Sequence, residues 1–282
     1  GAPGRSGATA TATLTDGRPL STNRGLASFR ATLPGGAPVV CATSGMGAPS
    51  LSIVGNELVQ VGITTVIRVG TCGSIRPEVA VGSVIVASAA LADQGAADDI
   101  APREFPAAAD PFLTVALARA AEALGVDHHV GVLASTDTFY EGQERTTSSA
   151  NPHLLHRLHG RIDELVDLGI LGFEMEAGTL FKMGEVYGFA AGCVCAVIAG
   201  RYEAEEPDLD AKAAAVDQAV SVAVGRRAVG LVEEALRGEV TGLTEASGAG
   251  ALLLGVPLLA RVTAWVGGRA AYAVAAAQLV AI

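Results

Sequence analysis

Apolar residues run along this chain in short blocks of two different periods. Leu26 to Leu33 and Ala37 to Thr43 read as strands, with Pro34-Gly35-Gly36 between them as a turn. From Pro49 to Val61 the apolar positions Leu51, Val54, Leu58 and Val61 recur every three or four residues, which predicts a helix with one buried face. Ser44-Gly45-Met46-Gly47-Ala48-Pro49-Ser50 precedes it, a turn whose glycines permit close backbone approach and whose proline suits a helix start. Thr65 to Gly70 is an apolar strand that carries one charge, Arg68, near its end. An arginine there is costly to bury without an anionic partner. Further strands are predicted over Val81–Ala92, His129–Ala134, Ile170–Glu174 and Ala190–Ala199. Helices are predicted over Phe112–Leu124, Pro152–Leu168, Glu176–Tyr187 and Asp208–Arg237, the last as one or two. Residues 6–23 show little periodicity and read as helix or loop. Strands alternating with helices, several of them apolar throughout, predict a three-layer α/β sandwich with helices on both faces of a central sheet. Sites in such folds gather where strands end.

Composition narrows the function without naming it. With 282 residues, 50% hydrophobic and 17% charged, the chain can bury a large core in one domain or two. A formal charge of −10 and a pI near 5.0 argue against binding a nucleic-acid polymer, so any anion must be drawn by local groups. The four cysteines, Cys41, Cys72, Cys193 and Cys195, form no C-x-x-C pair and sit in apolar runs, as in a reduced cytoplasmic protein. No basic segment followed by an apolar run opens the chain, so export is unsupported. The start at Gly1, without Met, implies residues upstream. After Gly238, the uncharged runs Ala246–Ala260 and Ala270–Ile282 fall short of the roughly 20 residues that span a bilayer. Residues 239–282 therefore read as an apolar extension rather than a membrane anchor.

Chemistry concentrates in Ser135–Arg145, STDTFYEGQER. Gln143 presents donors and an acceptor in one plane, and Arg145 a rigid fork of donors. In an extended backbone both point the same way, toward one edge of a flat polar ring, with Phe139 as an apolar face nearby. Arg68-Val69-Gly70-Thr71-Cys72-Gly73 is a strand end entering a Gly-framed turn, where Thr71 supplies a hydroxyl and Gly73 permits close approach. Phe173-Glu174-Met175-Glu176-Ala177 sets two carboxylates at a strand-to-helix junction, where the charge of Glu176 is favoured at a helix N-terminus. A glycosidase-type acid and nucleophile is the other use of such a pair, but nothing else in the chain argues for carboxylates straddling a sugar. Val197-Ile198-Ala199-Gly200-Arg201 is a second apolar strand ending in a lone arginine. Each motif alone also fits a solvated loop, a tight connection or a simple helix start.

Together and in this order they resemble the uridine phosphorylase branch of the nucleoside phosphorylase family, over Gly1 to about Gly238. The resemblance implies that family's fold around a mixed sheet, with the family's first strand missing upstream of residue 1. It implies a phosphate loop at Gly1-Ala-Pro-Gly-Arg5, with phosphate held by Gly1, Arg5, Arg68 and Thr71 and by Arg24 of a neighbouring subunit. Thr71, Met175 and Glu176 would contact ribose. Cys72, Gly73, Phe139, Gln143, Arg145, Glu174, Ile198, Ala199 and Arg201 would border the base. Many relatives carry Thr at position 72, where a thiol is the poorer hydrogen-bond partner. Cys72 is not expected to be a nucleophile, since nothing marks it as activated. Gly25 stands where some bacterial members carry a glutamate that helps hold a monovalent cation, so no metal is expected by that route. Purine-specific relatives carry an acid near Ala199-Gly200, and this chain has none.

The expected activity is reversible phosphorolysis of uridine or a related pyrimidine nucleoside in pyrimidine salvage. Arg68, Gln143, Arg145 and Glu176 would be the catalytic residues. Phosphate is a co-substrate and no cofactor is implied. A dimer-based homo-oligomer, a hexamer by the resemblance, would share its sites between subunits. Two other readings stay open: a nucleosidase that uses water in place of phosphate, and a non-catalytic nucleoside-binding protein.

Overall fold

The computed structural model describes residues 14–33, 36–202, 209–224, 242–244 and 271–274. Two antiparallel pairings begin the sheet: β1 (Thr15–Ser21) on β2 (Ser28–Thr32), and β2 on β3 (Pro38–Thr43). Helix α1 (Ala48–Gln60) follows, with Pro49 in its first turn, then the long strand β4 (Ile63–Ser74) and β5 (Val84–Asp93). Two helices, α2 (Gly95–Ile100) and α3 (Pro111–Leu124), lead to β6 (His128–Thr136). Then come α4 (Arg161–Asp167), β7 (Gly172–Glu174), α5 (Ala177–Tyr187), β8 (Ala190–Gly200) and α6 (Leu209–Val224). The short strands β9 (Gly242–Thr244) and β10 (Ala271–Val274) each run parallel to both β3 and β4 and join the same sheet.

The sheet is mixed, as the family resemblance implies. It also closes on itself, which an open sandwich does not: β4 pairs with β7, β7 with β6, β6 with β5, β5 with β8, and β8 with β4. Burial of most of β4 and of the middle of β8 explains their largely apolar sequences. Strand alternation sends side chains to two cores. Val66, Cys72, Cys195 and Val197 join Leu51, Leu58, Leu180 and Phe181 of α1 and α5, while Ile67, Val69, Val194 and Ala196 join Leu113, Leu117, Ala219 and Val220 of α3 and α6.

Three local departures have physical causes. Residues 6–23 contain β1 from Thr15 onward, a polar edge strand with irregular register that tolerates Pro19 because edge strands need fewer ladder donors. The helix expected over Pro152–Leu168 shrinks to a 3-10 turn at His156–Leu158 and to α4, because Gly160 adopts φ 70° and interrupts it. Helix α2 lacks any apolar period and was not predicted. The last expected helix is described only as far as Val224. Pro34, Gly35, Gly1, Arg5 and residues 225–237 lie outside the described residues.

Candidate active site

Strand β4 delivers Arg68 into the interior, where it is 1% exposed. Its side chain lies along its own strand over Gly70: a Cβ at position 70 would stand 2.0 Å from Nη1. The guanidinium reaches the carboxylates that the sequence places at the β7–α5 junction. β7 pairs antiparallel with the end of β4, Gly73 opposite Phe173, which turns Glu174 back toward Arg68. Nη2 of Arg68 pairs with Glu176 and lies 3.3 Å from Glu174 Oε2. Nη1 donates to Cys195 Sγ at 2.9 Å and to Cys193 Sγ at 3.7 Å. A buried arginine thus has anionic partners, as its position in the sequence required.

Glu176 is the N-cap residue of α5, yet its side chain does not cap the helix. Glu174 does so, accepting from the backbone N–H groups of Glu176 and Ala177 at 2.8 Å each. Its other oxygen accepts from Ser135 Oγ, which in turn accepts from Gly178 N. Glu176 is thereby left to receive the N–H of Gly47, in the glycine turn before α1, as well as Arg68. Burial pushes the Glu174 carboxyl up to about 7, the neighbouring charge of Glu176 adding to it against the pull of Arg68. Met175, half-buried, is fixed through its carbonyl, which accepts from Gln94 Nε2 at 2.6 Å, while Gln94 Oε1 takes the N–H and hydroxyl of Thr179.

A second group forms beside the first. Gln143 and Arg145 are 3% and 6% exposed, with Arg145 Nε 3.4 Å from Gln143 Oε1. They do not meet through extended backbone: the segment turns, and Glu144 between them sits at φ 51°. That left-handed conformation is unfavourable for glutamate. It is offset because the Glu144 carboxylate accepts from Gly160 N and Ile162 N at the start of α4, and Arg145 N donates to Tyr140 O. Gln143 Nε2 donates to Thr136 Oγ1 at 3.2 Å. The Arg145 guanidinium lies over the Phe139 ring, and Arg201 Nη2 donates to the Gln143 carbonyl at 2.8 Å. At Gly73 the groups converge: a Cβ there would be 3.4 Å from Arg201 Cγ and 3.7 Å from Arg145 Nη2.

Adjacent residues at the end of β6 join the two halves, Ser135 holding Glu174 and Thr136 holding Gln143. Thr71 is buried opposite Ala196 of β8. Cys72 lies in the core with its thiol toward the Ala196 carbonyl. Its hydrogen bond to Cys195, together with burial, raises its pKa well above the ordinary thiol value, consistent with an inert side chain. Ala199 and Ile198 are half-buried on β8, and Ile198 packs into the core of α3 and α6. Arg24 lies in a 3-10 turn, Asn23–Gly25, and Gly25 adopts φ 77°. Gln94, Gly47, Gly70 and Cys195 were missed by sequence reasoning. The glycine-rich turn around Gly47 and the Gly-framed turn holding Gly70 carried a signal, though not of these contacts. Among the described residues no group of three His, Cys, Asp or Glu side chains is arranged to hold a metal ion, and no helix is long and apolar enough to cross a membrane.

A profile of the phosphorylase superfamily matches residues 3–237. A uridine phosphorylase of Salmonella typhimurium is 42% identical over 205 residues, covering 73% of this chain and 80% of the relative. One from Escherichia coli strain K12 is 41% identical over the same shares. A guanosine phosphorylase of Halorubrum lacusprofundi is 30% identical over 197 residues, 68% of this chain and 75% of the relative.

Proposed function

The chain belongs to the phosphorylase superfamily, and we propose that it is a uridine phosphorylase, a pentosyltransferase that converts uridine and inorganic phosphate reversibly to uracil and ribose 1-phosphate. The observation that carries this is the buried pair Gln143 and Arg145, braced by Phe139 and Arg201 beside Gly73, next to the Arg68–Glu176 pair. Relatives 41–42% identical to it over 73% of its length are uridine phosphorylases.

In this reading phosphate is held by Gly1, Arg5, Arg68 and Thr71, and by Arg24 of a neighbouring subunit. A phosphate oxygen bonds to the anomeric carbon as the glycosidic C–N bond breaks, and the electron pair leaves on uracil. The sugar passes through an oxocarbenium-like state, which Glu176 and Met175 hold by the ribose. Gln143 and Arg145 donate to the base as it gains negative charge, so they stabilise the transition state more than the ground state. Gly73, Cys72, Glu174, Ile198, Ala199 and Arg201 shape the base side. No cofactor takes part. The phosphorylase domain spans residues 1–238, its helices form two outer layers around the sheet, and the protein works in the cytoplasm as a dimer-based hexamer with shared sites.

Relative turnover of uridine and inosine tests the base assignment. Each buried donor that a purine leaves unpaired costs about 1–3 kcal/mol, so uridine should be preferred by roughly 10² to 10⁴. Equal turnover would remove Gln143 and Arg145 from the role of base readers.

A further inference from the structure

The sulfur nearest the buried arginine has no part in the chemistry above. Cys195 lies on β8 with its Cα opposite Gly70 of β4, directly under the Arg68 guanidinium. Glycine at 70 leaves the guanidinium room to lie flat, and two of its edges are then occupied. Glu176 takes Nη2, and Cys195 Sγ, at 2.9 Å, takes Nη1. Cys193 Sγ is farther, at 3.7 Å from the same nitrogen, and lies 3.6 Å from Cys195 Sγ. All three sulfurs in this part of the core, Cys72, Cys193 and Cys195, are buried.

We propose that Cys195 is a positioning residue, whose sulfur holds Nη1 of Arg68 and so fixes the guanidinium in the orientation that receives phosphate. The inference rests on the reading of Arg68 as a phosphate ligand. Glu176 fixes one terminal nitrogen of the planar guanidinium, and the sulfur on Nη1 adds a restraint at the other, so less ordering remains for phosphate to impose on binding. The surroundings suit sulfur as an acceptor. Burial alone would push the Cys195 thiol up, but the thiols of Cys193 and Cys72 hydrogen-bond to it and the Arg68 charge faces it, which together hold it well below the usual thiol range. Burial and the hydrogen bonds to Cys195 hold its neighbours Cys193 and Cys72 well above that range.

The test compares Cys195→Ala and Cys195→Ser with the unmodified protein, reading phosphate affinity by calorimetry and, separately, the Michaelis constants for phosphate and uridine. The alanine variant should weaken phosphate about tenfold with the uridine constant within about twofold, and serine, which keeps an acceptor, should recover part of the loss. Unchanged phosphate affinity in the alanine variant would overturn the proposal. So would equal losses for both substrates that serine does not recover, the pattern of a merely structural role. Ultraviolet thiolate absorbance at neutral pH, present in the unmodified protein and lost in Cys195→Ser, supports the assignment, and its persistence in that variant would contradict it. Because phosphate binding and thiolate absorbance are read without turnover, failure of the uridine assignment leaves this test intact.

Discussion

The guanidinium carbon of Arg145 stands 4.0 Å from the centroid of the Phe139 ring, with Gln143 beside it. The ring holds the charge by a cation–π contact, and Nη2 of the fork lies 3.7 Å from where a Cβ at Gly73 would stand. Arg145→Ala should lower uridine turnover by about 10²-fold, the range for losing one transition-state donor, and leave phosphate affinity within about twofold. Arg145→Lys should restore little, because a point charge cannot reproduce the fork. Steady-state constants for both substrates check this, and a phosphate constant that rises with the loss of turnover would contradict it.

The contact of Arg68 with Gly70 leads to a second prediction. A methyl group at Gly70 must displace the guanidinium, since its Cβ would lie 2.0 Å from Nη1 and 2.4 Å from Cζ. Gly70→Ala should destabilise the fold by about 1–3 kcal/mol, as overpacking of a filled core does, and should abolish most turnover because Arg68 loses Glu176 and Cys195 together. Denaturant unfolding and activity, measured on the same preparation, decide it. Activity near that of the unmodified protein would mean that Arg68 need not occupy this position.

Glu144 links the turn that carries Gln143 and Arg145 to α4. Glu144→Ala removes the acceptor for Gly160 N and Ile162 N while keeping a side chain at φ 51°. The expected cost is about 1 kcal/mol, that of a lost helix cap. The Michaelis constant for uridine should rise several-fold with that for phosphate unchanged, since Gln143 and Arg145 flank this residue. Glu144→Gly, which relieves the backbone strain, should destabilise less than alanine. The reverse order of the two variants in thermal unfolding would contradict the account.

Glu174 gives a pH prediction. Its carboxyl is pushed from the ordinary 4.5 up to about 7 in the folded protein, by burial first. Between those values the folded state binds more protons than the unfolded state, so this group makes stability fall as pH rises from about 4.5 to 7. Glu174→Gln should remove that component and flatten the stability profile over this window. Denaturant midpoints at several pH values read it directly, and an unchanged slope in the variant would place the titration elsewhere.

How far the chain could be read depended on whether the signal was local. Strands β4 and β8 were legible because continuous apolar runs need no tertiary information, and Arg68 stood out as the one charge within such a run. Gln143, Arg145 and Phe139 were found by their motif, but the expected extended geometry was not. A turn at Glu144 brings them together, held by an acceptor bond to residues 16 and 18 positions on. The motif showed a carboxylate at position 174 but not its partners, Ser135, Arg68 and the first N–H groups of α5, which lie far from it in sequence or depend on the helix start. Strand β1 has no alternation because it is a polar edge, and its pairing with β2 is what orders it. Gly70 was legible only as part of a Gly-framed turn and Cys195 only as a cysteine in an apolar run, because their place beside Arg68 depends on the register in which β4 and β8 pair.

The most direct test of the central claim is chromatography of uridine incubated with the protein, with and without inorganic phosphate. The account predicts uracil and ribose 1-phosphate in equal amounts when phosphate is present, negligible uridine loss when it is absent, and uridine formation when the two products are supplied. Release of uracil and free ribose at the same rate in phosphate-free buffer would contradict it.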